Sequence, residues 1–209
     1  MSGLRERKKR ETREALMTAA LRLALERGLE NVRAEDIAAA GGVSPRTYNN
    51  YFPSKYAAIT ARHTDRVRAT VAALRARPAA EPLWEALTEA AIAPWARQAG
   101  RAGEAPDPEL PASIRMLADE PALRAEALRT ALEGEAELTA AVAARTGTDP
   151  VRDLYPGLVA VTVTAAVQGA VAHWLRADPP VPLVPLLREA LEQLAAGLPA
   201  PRPEDREER

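Results

Sequence analysis

The apolar positions Leu16, Ala19, Ala20, Leu23 and Ala24 recur at intervals of three and four, the stripe of an amphipathic helix. Gly28 ends that helix, because glycine at a helix C-terminus takes the left-handed conformation without a Cβ penalty. Leu29 and Val32 can then fold back onto the core. A second helix spans about residues 34–40, with Ile37 and Ala38 as its buried side, and Gly41 and Gly42 follow as a tight turn with Val43 as an apolar plug. Ser44 and Pro45 open a third helix. The serine is an N-cap whose side chain accepts from an orphan N–H, and the proline sits at the first helical position, where its missing donor costs nothing. This helix should run to Tyr51 or Phe52, since Pro53 disfavours helical backbone before it and Ser54 can cap the next helix. Three helices with a small-residue turn between the second and third make a helix-turn-helix.

From Ser54 the pattern predicts one long fourth helix to about Arg77, then helices near residues 82–100, 108–117 and 121–145. A final pair covers about 149–176 and 183–198. The stretch from Val159 to Thr164 alternates with period two, as a strand would. It lies in an apolar run from Leu158 to Leu175 that is too long for one strand and has no partner pattern, so helix is expected. Only two of the 18 prolines, Pro45 and Pro53, precede Pro78. The predicted fold is therefore all-α, with a helix-turn-helix domain over 1–60, a helical body over 61–198, and a disordered tail over 199–209.

Charge sharpens that division. Residues 1–62 hold 12 Lys+Arg against 7 Asp+Glu, and residues 63–209 hold 16 against 22, although the net charge of the 209-residue chain is only −1. A basic front on an acidic body suits a polyanion partner for the front. The chain has no cysteine, which excludes disulfides, thiolate zinc sites and cysteine nucleophiles and fits a reducing cytoplasm. Residues 5–13 run straight into a mixed helix, so no export signal is expected. The segment from Leu154 to Leu175 lacks Asp, Glu, Lys and Arg and is long enough to span a membrane. Its Pro156, Gly157, Gln168, Gly169 and His173 argue instead for a helix packed on protein. Four serines, two histidines and no nucleophile elbow, phosphate loop or HExxH supply no catalytic, metal or cofactor site, so no enzyme is expected.

Gly28, Ile37-Ala38, Gly42-Val43-Ser44, Thr47 and Tyr51-Phe52-Pro53-Ser54-Lys55 together resemble the signature of the TetR family of one-component transcriptional regulators, over about residues 10–59. Independently of the resemblance, a recognition helix needs short polar or basic side chains at its exposed N-terminal face, and Ser44, Pro45, Arg46, Asn49 and Asn50 provide them. Arg46 can fork onto a guanine or meet phosphate, and Asn49 or Asn50 can pair with adenine, each base contact worth about 1–3 kcal/mol of discrimination. The resemblance implies that Thr47, Tyr51 and Lys55 grip phosphate and that Tyr48 and Phe52 are core aromatics. A lysine in the first turn of the fourth helix opposes the helix dipole, which is sensible only if a phosphate is brought in.

Three departures from the family pattern stand out. Asn49 replaces a usual aromatic. Arg33 replaces a usual threonine cap, a loss of about 1 kcal/mol unless its side chain reaches phosphate. Gly41 replaces a customary alanine, which should loosen the turn by under about 1 kcal/mol. The six basic residues between Arg5 and Arg13 form either an arm along DNA or a solvated helix start.

The resemblance further implies a homodimer built from the last two helices, a small-molecule effector, and repression relieved by that effector. The alternatives are a regulator that senses no ligand, or an activator. Trp84, Trp95, Met116, Gln168, His173 and Trp174 are candidate pocket residues, with plain core as the alternative reading of each. Arg97, Arg101 and Arg115 either attract an anionic ligand or are surface charge. The segment 121–175 resembles the C-terminal part of mycofactocin-type regulators, whose ligands include acyl-coenzyme A thioesters.

Overall fold

A computed structural model of the chain describes residues 2–98, 109–178 and 181–200. Arg101, the ends of two expected helices at 99–100 and 108, and the tail from 201 lie outside the described residues. The described residues contain ten α-helices and no strand, so the alternating run from Val159 to Thr164 is helical. The chain divides into two compact units, Met1–Val67 with Pro108–Leu132 and Arg68–Asp107 with Glu133–Arg209. The first unit thus extends past residue 60 and takes in a second, distant stretch of sequence.

In the first unit, α1 (Ser2–Arg27) packs against α2 (Ala34–Ala40) and α4 (Lys55–Ile59), and α3 (Pro45–Asn49) packs on α2. Leu16, Ala20, Leu23, Ile37 and Ala38 are buried as the stripe requires, with Tyr48, Phe52, Ala58 and Ile59 filling the space between the helices. Leu123, in the first turn of α8 (Pro121–Thr146), is fully buried in the same core, and Met116 and Leu117 of α7 (Glu109–Asp119) pack against it. This apolar contact is what recruits the later stretch.

Several boundaries differ from the expected ones, each for a local reason. Gly28 has φ 79° but ψ 146°, so its φ is positive while its ψ is extended rather than left-handed helical, and a 3-10 turn, Leu29–Asn31, follows at once. The third helix stops at Asn49 with Asn50 as its C-cap, two residues early. The long fourth helix is interrupted: α4 ends at Ile59, and α5 (Ala61–Ala76) starts anew. Thr60 sits at the break as the C-cap of α4, and Tyr56 O accepts both its N–H and its hydroxyl at 2.9 Å.

The second unit contains α6 (Leu83–Gln98), α9 (Leu154–Trp174) and α10 (Leu183–Ala195), with α10 packed on both α9 and α6 and its Leu187 and Leu191 fully buried. Arg188 of α10 pairs with Glu89 of α6 at 2.7 Å. At the end of α8, Arg145 donates to Pro78 O at 2.6 Å and to Glu81 O at 2.7 Å, and Glu81 pairs with Arg77. α9 begins five residues later than expected because the Asp149 carboxylate accepts from the N–H groups of Val151 and Arg152 and holds a turn there.

Candidate nucleic-acid interface

Ser44 caps α3 as its sequence suggests: its Oγ accepts from Thr47 N at 3.1 Å and lies 2.9 Å from Thr47 Oγ1. Gly42, at φ 68°, supplies the left-handed residue that turns α2 into α3. Gly41 has another reason to be glycine. A Cβ there would stand 2.5 Å from Leu16 Cδ2, and Leu16 is fully buried, so the missing side chain lets α1 and the end of α2 approach closely. The expected loosening of the turn is thereby replaced by a packing requirement.

On α3 the inner side is Tyr48, 1% exposed, whose ring lies 6.0 Å from that of Phe52 and whose hydroxyl donates to Ser54 O at 2.9 Å. Burial pushes the Tyr48 phenol up to about 12. The outer side carries Ser44, Pro45, Arg46, Asn49 and Asn50, all exposed, with Thr47 and Tyr51 half-buried at its edges. Arg46, Asn49 and Asn50 stand at i, i+3 and i+4 and so share a face.

Arg33 is exposed at the N-cap of α2. Its side chain has no acceptor to offer, but Asp36 Oδ2 accepts from Arg33 N at 2.9 Å, so half of a capping box survives. Lys55 differs from the sequence reading. Its Nζ donates to Leu29 O at 2.8 Å and Val32 O at 2.9 Å and lies 5.5 Å from the centre of the Tyr56 ring. A phosphate is therefore not the only reason for a cation in that turn.

The basic run is continuous helix from Ser2, exposed through Glu11. Its last member is of another kind: Arg13 makes two bonds to Asp65, at 2.5 and 2.9 Å, and stacks 5.4 Å from the centre of the Phe52 ring. It is neither arm nor solvated helix start, and its register with Leu16, Met17 and Ala20 marks it as facing the core. Close by in sequence, burial, aided by the charge of Arg66, pushes His63 down to about 4. Burial and Arg62 lower Arg66 to about 10, partly opposed by Asp65.

Residues 16–59 match the family described as bacterial regulatory proteins, tetR family, and residues 81–199 match the MftR C-terminal domain. Over 178 residues the chain is 36% identical to the HTH-type transcriptional regulator TcmR of Streptomyces glaucescens, covering 84% of this chain and 79% of the relative. The chain belongs to the TetR family. TetR regulators are DNA-binding transcription factors rather than enzymes, and they act as dimers that bind small-molecule effectors. The TetR fold recurs in a regulator from Syntrophomonas wolfei, with TM-score 0.64 and 18% identity over 93% of this chain and 100% of that one. It recurs in the repressor FadR of Thermus thermophilus, solved with lauroyl-CoA, with TM-score 0.55 and 21% identity over 91% and 96%.

The body residues singled out from sequence scatter within this TetR fold. Trp84 is half-buried and Trp95 is 8% exposed, both on α6, and Trp174 is half-buried at the end of α9. Gln168 and His173 are exposed on α9, and Met116 belongs to the first unit, against the core around Leu16. Arg97 and Arg115 are exposed. α9 itself is two-sided: Val159, Ala160, Val163, Ala170 and Val171 are buried, while Leu154, Tyr155, Leu158 and Val161 are exposed.

Proposed function

We propose that the protein is a homodimeric repressor that holds a palindromic operator and is released from it by a small apolar or amphipathic effector. The observation that carries the operator reading is α3, which exposes Arg46, Asn49 and Asn50 on one face while Tyr48 anchors the other in the core. Arg46 and the two asparagines read base edges. Ser44, Pro45, Thr47, Tyr51 and Arg33 lie along the phosphate backbone, with Lys55 in support.

The dimer reading draws on α9. It is the one described helix long and apolar enough to cross a membrane. In a cytoplasmic DNA-binding protein its exposed Leu158 and Val161 meet a second copy instead of lipid. Gln168 shares that exposed side and His173 is exposed as well, so the effector pocket is assigned to Trp84, Trp95 and Trp174 of the second unit. An acyl-coenzyme A is the effector class to try first, because FadR was solved with lauroyl-CoA and the C-terminal part matches that of MftR. Release follows if the effector favours a dimer geometry whose recognition helices no longer fit successive major grooves.

Selection of bound duplexes from a random pool, followed by titration of lauroyl-CoA into the complex, tests both halves. A palindrome with half-sites about one turn apart supports a dimeric operator binder. Absence of any enriched motif from a folded dimer removes the operator reading. Operator affinity unchanged by lauroyl-CoA and by a broad ligand library would favour a constitutive binder.

A further inference from the structure

Lys55 is placed to act on DNA through another residue. An ammonium has three protons, and two of those on Lys55 are given to the carbonyls of Leu29, the first residue of the 3-10 turn Leu29–Asn31, and of Val32, its C-cap. The Leu29 and Val32 side chains are buried in the core, so the turn is held from below by apolar packing and from its carbonyls by Lys55. Such charge-assisted bonds are about twice as strong as neutral ones, and a phosphate would have to compete with both of them.

The next residue is Arg33. It is exposed, its backbone is extended, and its N–H is fixed by Asp36. In a helix-turn-helix the first helix of the motif crosses the phosphate backbone, which places the residue that starts α2 beside phosphate. The clamp on Val32 and the bond from Asp36 together set the direction in which the Arg33 side chain leaves the chain.

The geometry points to Lys55 as a positioning residue for DNA binding: its ammonium pins the Leu29–Val32 turn, and Arg33, so placed, makes the ion pair with phosphate. This rests on the DNA-binding reading of α2 and α3.

The test is the salt dependence of binding to a duplex carrying the selected palindrome, for the full-length protein, Arg33→Ala, Lys55→Met and the double variant. One phosphate contact contributes about 0.9 to the slope of log affinity against log salt. Each single variant should lower the slope by about one, and the double variant also by about one, because both substitutions remove the same ion pair. A double variant that loses about two means two independent phosphate contacts and overturns the inference. A Lys55→Met slope equal to that of the parent protein means that Lys55 is only structural, and overturns it too.

Amine labelling of the unsubstituted protein gives a readout that does not depend on a variant folding. Lys55 should react roughly tenfold or more slowly than the exposed Lys8 and Lys9 in DNA-free protein, as its clamp must open first. Equal rates would show that no clamp exists. Failure of the unsubstituted protein to bind any duplex would remove the DNA reading itself, whereas normal binding with the wrong pattern of slopes removes this inference alone.

Discussion

α3 and α9 present opposite chemistry to solvent. α3 hides one aromatic and exposes a guanidinium and two amides, groups that water satisfies until a base edge replaces it. α9 leaves Leu154 80%, Leu158 52% and Val161 46% exposed, carbon surface that water does not satisfy. A polar reading surface can stand free and bind reversibly. An apolar one gains by being covered, so under the proposed function the first unit exchanges its partner and the second keeps it.

Charging α9 is the most forceful way to break this contrast. Leu158→Asp with Val161→Asp should give a folded monomer, seen by sedimentation, with operator affinity lower by about 10²–10⁴-fold as the second half-site contact ceases to be intramolecular. A persisting dimer of unchanged affinity would show that this face is not the interface. Acid should act on the first unit next. His63 is pushed down to about 4 in the folded protein against 6.5 in the unfolded chain, so the unfolded state takes up a proton first. Stability is full above about pH 6.5 and falls toward pH 4, with about 2 kcal/mol lost by pH 5. Urea titrations at pH 7 and pH 5 should therefore diverge for the parent protein and converge for His63→Gln.

Two smaller effects sharpen the picture within the first unit. Arg13→Ala removes the paired bonds to Asp65 and should cost about 1–2 kcal/mol, while Arg7→Ala, whose pair with Glu11 is exposed, should cost under about 0.5 kcal/mol. Equal losses in denaturant titration would mean that the basic run is uniform after all. Gly41→Ala sets two terms against each other. Alanine gains about 0.4–1 kcal/mol by restricting the unfolded chain, but the crowding of buried Leu16 costs about 1–3 kcal/mol. A net loss near 1 kcal/mol is expected, and a raised melting temperature would show that Leu16 can give way.

The local syntax of the helix-turn-helix was legible because it is written in residues with few conformational options. Ser44 caps, Pro45 starts a helix, Gly42 turns left-handed, and the apolar stripe of α1 names its own core. What escaped are contacts whose partners are far away in sequence or belong to the backbone. Lys55 bonds carbonyls 26 and 23 residues earlier, Arg13 reaches Asp65 52 residues on, and Gly41 is needed for the shape of Leu16. No pattern of period 3.6 encodes such pairings. The limits of α9 were missed because Asp149, a helix-compatible residue by composition, spends its carboxylate on a turn instead. The proposed effector pocket was the least legible part, since a tryptophan that lines a cavity and one that fills a core obey the same spacing.

Leu123 bears on how chimeric regulators of this kind should be cut. It lies 64 positions or more beyond every helix-turn-helix residue, yet it is fully buried among Leu16, Ile37 and their neighbours. A graft severed at residue 60 would carry away the reading head without its plug, leaving a hole of the size that typically destabilises by about 2–5 kcal/mol. A transplantable module would have to include residues 108–132, or supply from its host a leucine that arrives at the same place.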